Sequence, residues 1–313
     1  MKNFYEQFIL GMILLIFSGI PLFSNAQTDQ DALMMGHRNL CVAGMGGYTS
    51  WTNYWEGEFK RDNENIGRLS NTYGMLMLNY GVSKNLNILT SLPYVSTKAS
   101  KGTLAGVQGL QDLGFYVKWR PLRRQLGKQK ISVFGVGSLT TPSNDYNIDL
   151  QPMAIGLGGK VLSARIIFDV QRNKFFSTIS AGYMHRSNVE LDRPAYFTDR
   201  LINSYEVQMP DAGNFQLRTG YRGKKLIAEA FLVNMTTFGG FDIRKNDMPF
   251  VSNKMNSNSA GLEAKYYLNN ALGFNATVAH TLSGRNIGQA TGYSAGFLYT
   301  INLKSKTTQT ATP

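Results

Sequence analysis

Apolar and polar residues alternate along most of this chain, and the alternation is clearest near its C-terminal end. In residues 292–303, apolar side chains from Tyr293 to Leu303 share one parity, while small or polar residues occupy the other. A period of two places each set on one face of a β-strand. Segments 261–269 and 271–280 repeat the pattern. Strands of about ten residues cross a bilayer when they are tilted, so the pattern predicts an all-β membrane protein.

The connections between the predicted strands alternate between short turns and long loops. Short turns are predicted at residues 81–85, 123–129, 171–174, 222–225 and 269–271. Long loops are predicted at residues 61–68, 98–109, 141–152, 188–208, 239–254 and 283–289. This alternation is typical of outer-membrane barrels, in which the short turns face the periplasm. It predicts an antiparallel transmembrane β-barrel of about twelve strands, with both ends on the periplasmic side.

One stretch leaves the strand count open. Residues 153–170 are long for a single strand, and the parity of their apolar positions slips near Leu162 and Ser163. A β-bulge within one strand explains the slip, and so do two short strands. The sequence therefore predicts a barrel of about 10–14 strands.

The bilayer also explains why the sheet should close. Lipid offers no hydrogen-bond partners, so an open sheet edge is costly inside a membrane. Aromatic residues near strand ends are expected to form girdles at the two membrane interfaces. These residues are Trp51, Tyr54, Trp55, Tyr94, Trp119, Tyr221 and Tyr299. Residues 294–301 also resemble the terminal-strand signal read by the barrel-assembly machinery, an expected partner, although a polar tail follows them.

The first 26 residues have the pattern of a secretory signal peptide. Lys2 precedes an apolar run over residues 8–23, which ends in a small-residue cleavage pattern at Ala26. An uncleaved N-terminal anchor is the alternative. The predicted division is a signal peptide at 1–26, a barrel at 27–303 and a polar tail at 304–313. Cys41 is the only cysteine, so no internal disulfide forms.

The formal net charge of +12 favours an anionic neighbour. Because the chain is predicted to be exported, we expect this neighbour to be outer-membrane lipid and lipopolysaccharide of a Gram-negative bacterium, and not nucleic acid. The predicted turns are basic, with Lys84, Arg123, Arg124, Lys128, Arg172, Lys174, Arg222, Lys224 and Lys225. The predicted loops hold the acids Asp62, Glu64, Asp145, Asp149, Glu190, Asp192, Asp199, Glu206, Asp242 and Asp247.

Charged residues of both signs fall on the inward parity of the strands. They are Asp112, Lys118, Arg120, Arg165, Asp169, Arg218, Glu229, Glu263 and Lys265. Charges inside a barrel face water or one another, so the lumen tolerates them. One interpretation is a lumen that selects a polar or anionic solute. The other is a salt-bridged network that fills a narrow barrel with its own side chains.

Residues 71–140 resemble the outer-membrane barrel family described as transporters of the phenol-degradation meta pathway. The motifs are the Tyr80-Gly81 turn, the Leu92-Pro93-Tyr94 strand end, the Asp112-Leu113-Gly114 strand and its basic end at Lys118 and Arg120. The rest of the chain shares only the rhythm of its strands. The resemblance implies passive passage of small solutes, often hydrophobic or aromatic, and it carries over no substrate residue.

Residues 185–188 read His-x-Ser-Asn, which is similar to the catalytic strand of outer-membrane phospholipases and lipid deacylases. In those barrels His activates Ser, and a third polar residue orients the His. His185 and Ser187 share the parity of Tyr183, so they are expected to face lipid, with Asp199 as a candidate orienting acid. Val189 stands where that motif usually has Gly, and the plainer interpretation of the pair is two interfacial polar residues at a strand end.

The sequence therefore favours a transporter-like barrel for passive passage of a small solute. The alternatives are a lipid hydrolase using His185 and Ser187, and a non-conducting structural barrel of an envelope complex. His37 and His280 are isolated, and no metal-binding or phosphate-binding motif is present. We therefore expect no metal and no cofactor.

Overall fold

The computed structural model describes residues 28–244 and 247–303, and twelve long strands in these residues form one antiparallel sheet. The strands are β1 (Asn39–Trp51), β2 (Leu69–Gly81), β3 (Leu86–Ala99), β4 (Asp112–Leu126), β5 (Gln129–Pro142), β6 (Val161–Arg172), β7 (Phe175–Arg186), β8 (Ala212–Arg222), β9 (Leu226–Thr237), β10 (Asn256–Tyr267), β11 (Leu272–Arg285) and β12 (Thr291–Asn302). In the described residues, no helix is long and apolar enough to span a bilayer.

The sheet closes on itself. Each strand pairs with its neighbours in sequence, and β1 pairs with β12 from Asn39 opposite Asn302 to Ser50 opposite Thr291. The connections at residues 82–85, 127–128, 173–174, 223–225 and 268–271 are short, whereas the intervening ones are long apart from the last, at residues 286–290. The predicted antiparallel barrel of about twelve strands is therefore confirmed.

The structure settles the stretch that left the count open. Strand β6 begins at Val161, and residues 153–160 belong to the loop before it. Met153 is fully buried in that loop, where its carbonyl accepts a 2.7 Å hydrogen bond from Thr97 Oγ1. The expectation of a bulge or a second strand near Leu162 was wrong, because the slip in parity marks the start of the strand. Register shifts lie instead in β4, before Leu122, and in β10, before Ser259.

The outer face of the barrel is apolar. Exposed side chains at alternate positions include Leu76, Phe115, Phe168, Phe215, Leu262 and Phe297. Such a band is the surface that a bilayer covers in an outer-membrane barrel. Tyr94 and Trp119 lie on this face, as expected of girdle residues, but Trp55 is only 7% exposed and lies within the outer loops. The girdle interpretation was wrong for Trp55, because the hairpin of Asn53–Glu56 and Phe59–Asp62 packs it inward.

The long loops pack against one another above the barrel. An apolar cluster joins the loops after β5, β7 and β9 through buried residues such as Ile148, Val207 and Phe250. Two short strand pairs, Val189–Glu190 with Glu206–Val207 and Tyr196–Phe197 with Leu201–Ile202, stiffen the loop after β7. The outer end of the barrel therefore carries a small apolar core of its own.

Residues 28–38, here named the lumen segment, lie inside the barrel ahead of β1. Leu33 and Met35 join a buried apolar cluster with Cys41 and Met77 of the wall. The N–H of Arg38 donates to the carbonyl of Gly81, and the N–H of Leu303 donates to the carbonyl of Arg38. The sequence had assigned these residues to the barrel without distinguishing them. The predicted signal peptide and C-terminal tail lie outside the described residues.

Because the outer band is apolar, the free-energy cost of a charge introduced on it should depend on the depth of that charge in the bilayer. Leu262→Arg, in the middle of β10, should lower the free energy of unfolding by about 2–4 kcal/mol. Leu268→Arg, exposed on the turn after β10, should cost about 0–1 kcal/mol because arginine reaches the interface there. Urea unfolding of the barrel refolded in lipid vesicles measures both. Equal losses would contradict the placement of the band.

Candidate functional site in the lumen

One carboxylate connects the lumen segment to two lysines of the wall. Asp31 Oδ1 accepts a 3.0 Å hydrogen bond from Lys118 Nζ of β4, and its Oδ2 lies 3.1 Å from Lys265 Nζ of β10. Lys118 Nζ also donates to the carbonyls of Thr28 at 2.7 Å and Asp31 at 2.5 Å. Lys118 is fully buried and Asp31 almost so. Buried charges persist only when they are paired and hydrogen-bonded, so these contacts hold the segment in place.

A second set of contacts surrounds Arg218 of β8. Its Nη1 donates to the carboxylates of Glu229 in β9 and, at 3.0 Å, Glu263 in β10. Lys265 Nζ lies 3.2 Å from Glu263 Oε1, which connects this network to Asp31. The guanidinium group also lies 4.9 Å from the ring centre of Phe231. Arg218 is thus shared by two carboxylates that lie opposite each other on β9 and β10, and Lys265 compensates the second of them.

The lumen segment extends both networks by its own polar residues. Asp29 Oδ2 lies 3.4 Å from Arg165 Nη1 of β6. Gln30 Oε1 accepts hydrogen bonds from Gln216 at 3.3 Å and from Arg218 at 3.4 Å. These longer contacts help to position the lumen segment, which is held more tightly at Asp31.

Apolar contacts hold the other half of the segment. Ala32 packs with Phe134, Val136 and Ile167 of β5 and β6, and Met34 lies against the same cluster. His37 Nδ1 lies 2.7 Å from the carbonyl of Val82 in the turn after β2. The segment thus runs from the charged middle of the lumen to the end of the barrel that carries the short turns.

A cavity of about 370 Å³ remains beside the segment. Met45, Met75 and Met77 of β1 and β2 line one side of it, together with Phe231. The polar residues lining the cavity include Gln216, Glu263 and Lys265. The free space in the lumen therefore presents a flexible apolar surface together with a charged one.

Asp169 of β6 anchors a third group near the short-turn end of the barrel. Its carboxylate accepts a 2.7 Å hydrogen bond from Thr178 Oγ1 and lies 3.2 Å from Arg222 Nη1. Arg120 donates to the side chain of Asn85 and, at 2.8 Å, to the carbonyl of Lys84 in the turn after β2. Both residues line a space of about 230 Å³ at this end of the barrel.

The structure places the lumen candidates from the sequence at three depths. Asp169 and Arg120 lie at the short-turn end, and Asp112 lies at the long-loop end, where it accepts a 2.5 Å hydrogen bond from Tyr146 of the loop after β5. The central contacts bring together the other candidates, Lys118, Arg165, Arg218, Glu229, Glu263 and Lys265. Sequence reasoning missed Asp29 and Asp31. Their signal was two acids, Asp29 and Asp31, directly after a predicted cleavage site in a chain whose inward positions hold excess cations.

The His-x-Ser-Asn motif does not assemble a relay in the structure. Ser187 Oγ donates to the carbonyl of Asn188 at 3.0 Å and accepts from the N–H of Lys160 at 2.9 Å. His185 Nδ1 lies 3.1 Å from Asp211 Oδ1. The proposal of Asp199 as the orienting acid needs correction, because Asp199 accepts from Thr198 within its own loop.

Asp211 lies in the loop just before β8 and collects three hydrogen bonds. Its carboxylate accepts from the hydroxyl of Tyr183, from the N–H of Arg186 at 2.9 Å and from the ring of His185. The hydrogen bond from Tyr183, followed by that from the backbone of Arg186, lowers the pKa of Asp211 to about 2. Asp211 is therefore ionised at neutral pH.

Comparisons with known proteins concern the fold. The chain is similar to an outer-membrane channel from Pseudomonas putida F1, with 12% sequence identity and a TM-score of 0.70, over 88% of this chain and 100% of that chain. It also matches the NanC porin with 8% identity and a TM-score of 0.48, over 82% and 98% of the two chains. No family model and no curated protein matches the chain. In residues 28–244 and 247–303, no three His, Cys, Asp or Glu side chains are grouped to hold a metal ion. The chain thus has the barrel fold of an outer-membrane channel.

The lumen network predicts unequal costs for two arginine substitutions. Arg218→Ala leaves Glu229 buried without its ion pair and Glu263 with Lys265 alone, and should lower the free energy of unfolding by about 3–5 kcal/mol. The control Arg285→Ala breaks ion pairs with Glu58 and Asp242 on the exposed outer loops and should cost about 1 kcal/mol or less. Urea unfolding in lipid vesicles gives both values. A loss for Arg218→Ala no larger than the control would contradict a dry, compensated network.

Proposed function

We propose that this chain is an outer-membrane channel of a Gram-negative bacterium that passes small solutes, and that its lumen segment closes it. The observation that carries this proposal is the attachment of the segment through Asp31, which fills the lumen from within while leaving a cavity of about 370 Å³ beside it. The barrel fold shared with an outer-membrane channel supports the proposal. Opening requires the segment to leave its two lysines.

The lining of the cavity favours solutes with both an apolar and a polar part. Methionine side chains are flexible and adapt to apolar ligands of different shape, and Met45, Met75 and Met77 supply such a surface. Lys265, Glu263 and Gln216 offer hydrogen bonds to a polar group. Small hydrophobic or aromatic compounds that carry one polar substituent fit this combination, in keeping with the family resemblance of residues 71–140.

The surface of the barrel supports the proposed location and partners. The exposed apolar band suits membrane lipid, and the outer loops would face lipopolysaccharide. The segment at 294–301, which resembles the assembly signal, lies within β12, the strand that closes the barrel against β1. We include the barrel-assembly machinery as a partner on this basis.

Flux measurements on Asp31→Ala test the channel. Loss of the contacts that the carboxylate makes with the two lysines, on the order of 3 kcal/mol, should raise the fraction of barrels with a released segment about a hundredfold. We therefore expect faster swelling of proteoliposomes in small-solute solutions than with the unsubstituted chain. The control Asp145→Ala removes an acid from an exposed outer loop and should leave the rate unchanged. If no variant passes any solute above empty liposomes, the barrel is a structural one.

A further inference from the structure

A cleft of about 520 Å³ lies at the outer rim of the barrel, where β7 ends. The loop after β7 (residues 187–211) forms one wall, and the loop after β9 (residues 238–255) forms another. The cleft covers the end of β7. Tyr183 and His185 therefore line it from the outer face of the barrel, and Arg186 lines it from the inner face. Its volume lies within the range of about 300–1,000 Å³ that small-molecule sites occupy.

Arg186 is the arginine that lines this cleft. It is 8% exposed, and its backbone N–H donates to Asp211. Its guanidinium group makes no hydrogen bond and no ion pair within the part of the chain that the structure describes. A buried charged group left unpaired costs free energy. The five N–H donors of the guanidinium group match the oxygens of a carboxylate or a phosphate, so an anion in the cleft would relieve that cost.

Asp211 attracts Arg186 electrostatically without satisfying its donors. The carboxylate already accepts from Tyr183, His185 and the backbone of Arg186. These hydrogen bonds fix the side chains of Tyr183 and His185 and the end of β7, which together form a rigid edge of the cleft. The guanidinium group therefore keeps its donors available to a ligand, and the cleft also offers the polar side chains of Gln208 and Ser252.

The rest of the lining is mixed, with polar residues such as Asn188 and Gln208 beside a group of aromatic and apolar side chains. Tyr196 and Met209 are buried in the loop after β7, and Phe241 packs against the same cluster. Phe238 is 61% exposed and stacks on Tyr183 with ring centres 6.0 Å apart. Gly240 lets the loop turn here, because its φ is +90° and a Cβ would lie 2.5 Å from the N of Lys254 and the O of Ser252.

We propose that this cleft binds an anionic amphiphile, with its carboxylate or phosphate on Arg186 and its apolar part between Tyr196, Phe238 and Phe241. Two sources supply such a molecule, a lipid of the outer leaflet and an amphipathic acid in solution. The site does not depend on conduction through the lumen, so its test stands apart from that of the proposed channel.

The first arm of the test uses 4-fluorobenzoate as a soluble probe. Fluorine NMR should show saturable binding to the full chain in phosphatidylcholine vesicles, and weaker binding of the neutral 4-fluorobenzyl alcohol. Arg186→Gln should weaken the binding of the acid about tenfold or more. Arg186→Lys should restore part of it, because lysine keeps the charge but loses the planar fork. The control Arg200→Gln changes an exposed arginine of the same loop and should have no effect.

The second arm identifies the source. Native mass spectrometry of the protein purified from a bacterial outer membrane should detect lipopolysaccharide on the unsubstituted chain and on Arg200→Gln. Its loss in Arg186→Gln, and its displacement by 4-fluorobenzoate, would assign the cleft to the lipid. Absence of lipopolysaccharide together with binding of the acid would assign it to the solute.

Phe238→Ala keeps the test decisive if the arginine variants fail to fold. This exposed side chain can be removed without opening the core, and its loss should weaken binding of 4-fluorobenzoate several-fold through the lost apolar contact. Inorganic phosphate, which lacks an apolar part, should bind Phe238→Ala and the unsubstituted chain equally. If neither the acid nor lipopolysaccharide distinguishes the Arg186 or Phe238 variants from Arg200→Gln, the proposal is overturned.

Discussion

A single buried carboxylate joins opposite sides of the barrel. Asp31 lies between Lys118 of β4 and Lys265 of β10, which are six strands apart in a ring of twelve. Lys265 also meets Glu263 of the wall, whereas Lys118 relies on Asp31 for its counter-charge, and desolvation of an unpaired ammonium is costly. The lumen segment supplies that counter-charge. The electrostatics of the wall therefore dictate that residues 28–38 fold inward.

The remaining features of the barrel follow from the contrast between its two faces. Lipid requires an apolar exterior, and strand alternation then assigns every other residue to the lumen. The lumen collects charged groups, which survive there because Arg218, Glu229 and Glu263 compensate one another. The outer loops close the far end with an apolar cluster. At the rim, where the strands end and the loops begin, Arg186 belongs neither to the ion pairs of the lumen nor to the apolar cluster of the outer loops.

The sequence was most informative where the structure is periodic. The strands and the inward parity of residues such as Lys118 and Arg218 follow from a period of two, and the turns and loops follow from the lengths of the stretches between the strands. The lumen segment could not be predicted in this way, because it has no period and its contacts join residues that lie far apart in sequence, such as Asp31 and Lys265. For the same reason the sequence suggested Asp199 where the pairing of β7 with β8 places Asp211 beside His185. The burial of Trp55 was missed because loop packing overrides its position near a strand end.

Single-channel conductance of the barrel with and without residues 28–35 tests the central claim most directly. The account predicts low conductance for the full chain and larger, persistent steps for the shortened one, with no change in the apolar exterior that anchors the barrel in the bilayer. Equal conductance in the two proteins would contradict the account, since the segment would then not close the lumen.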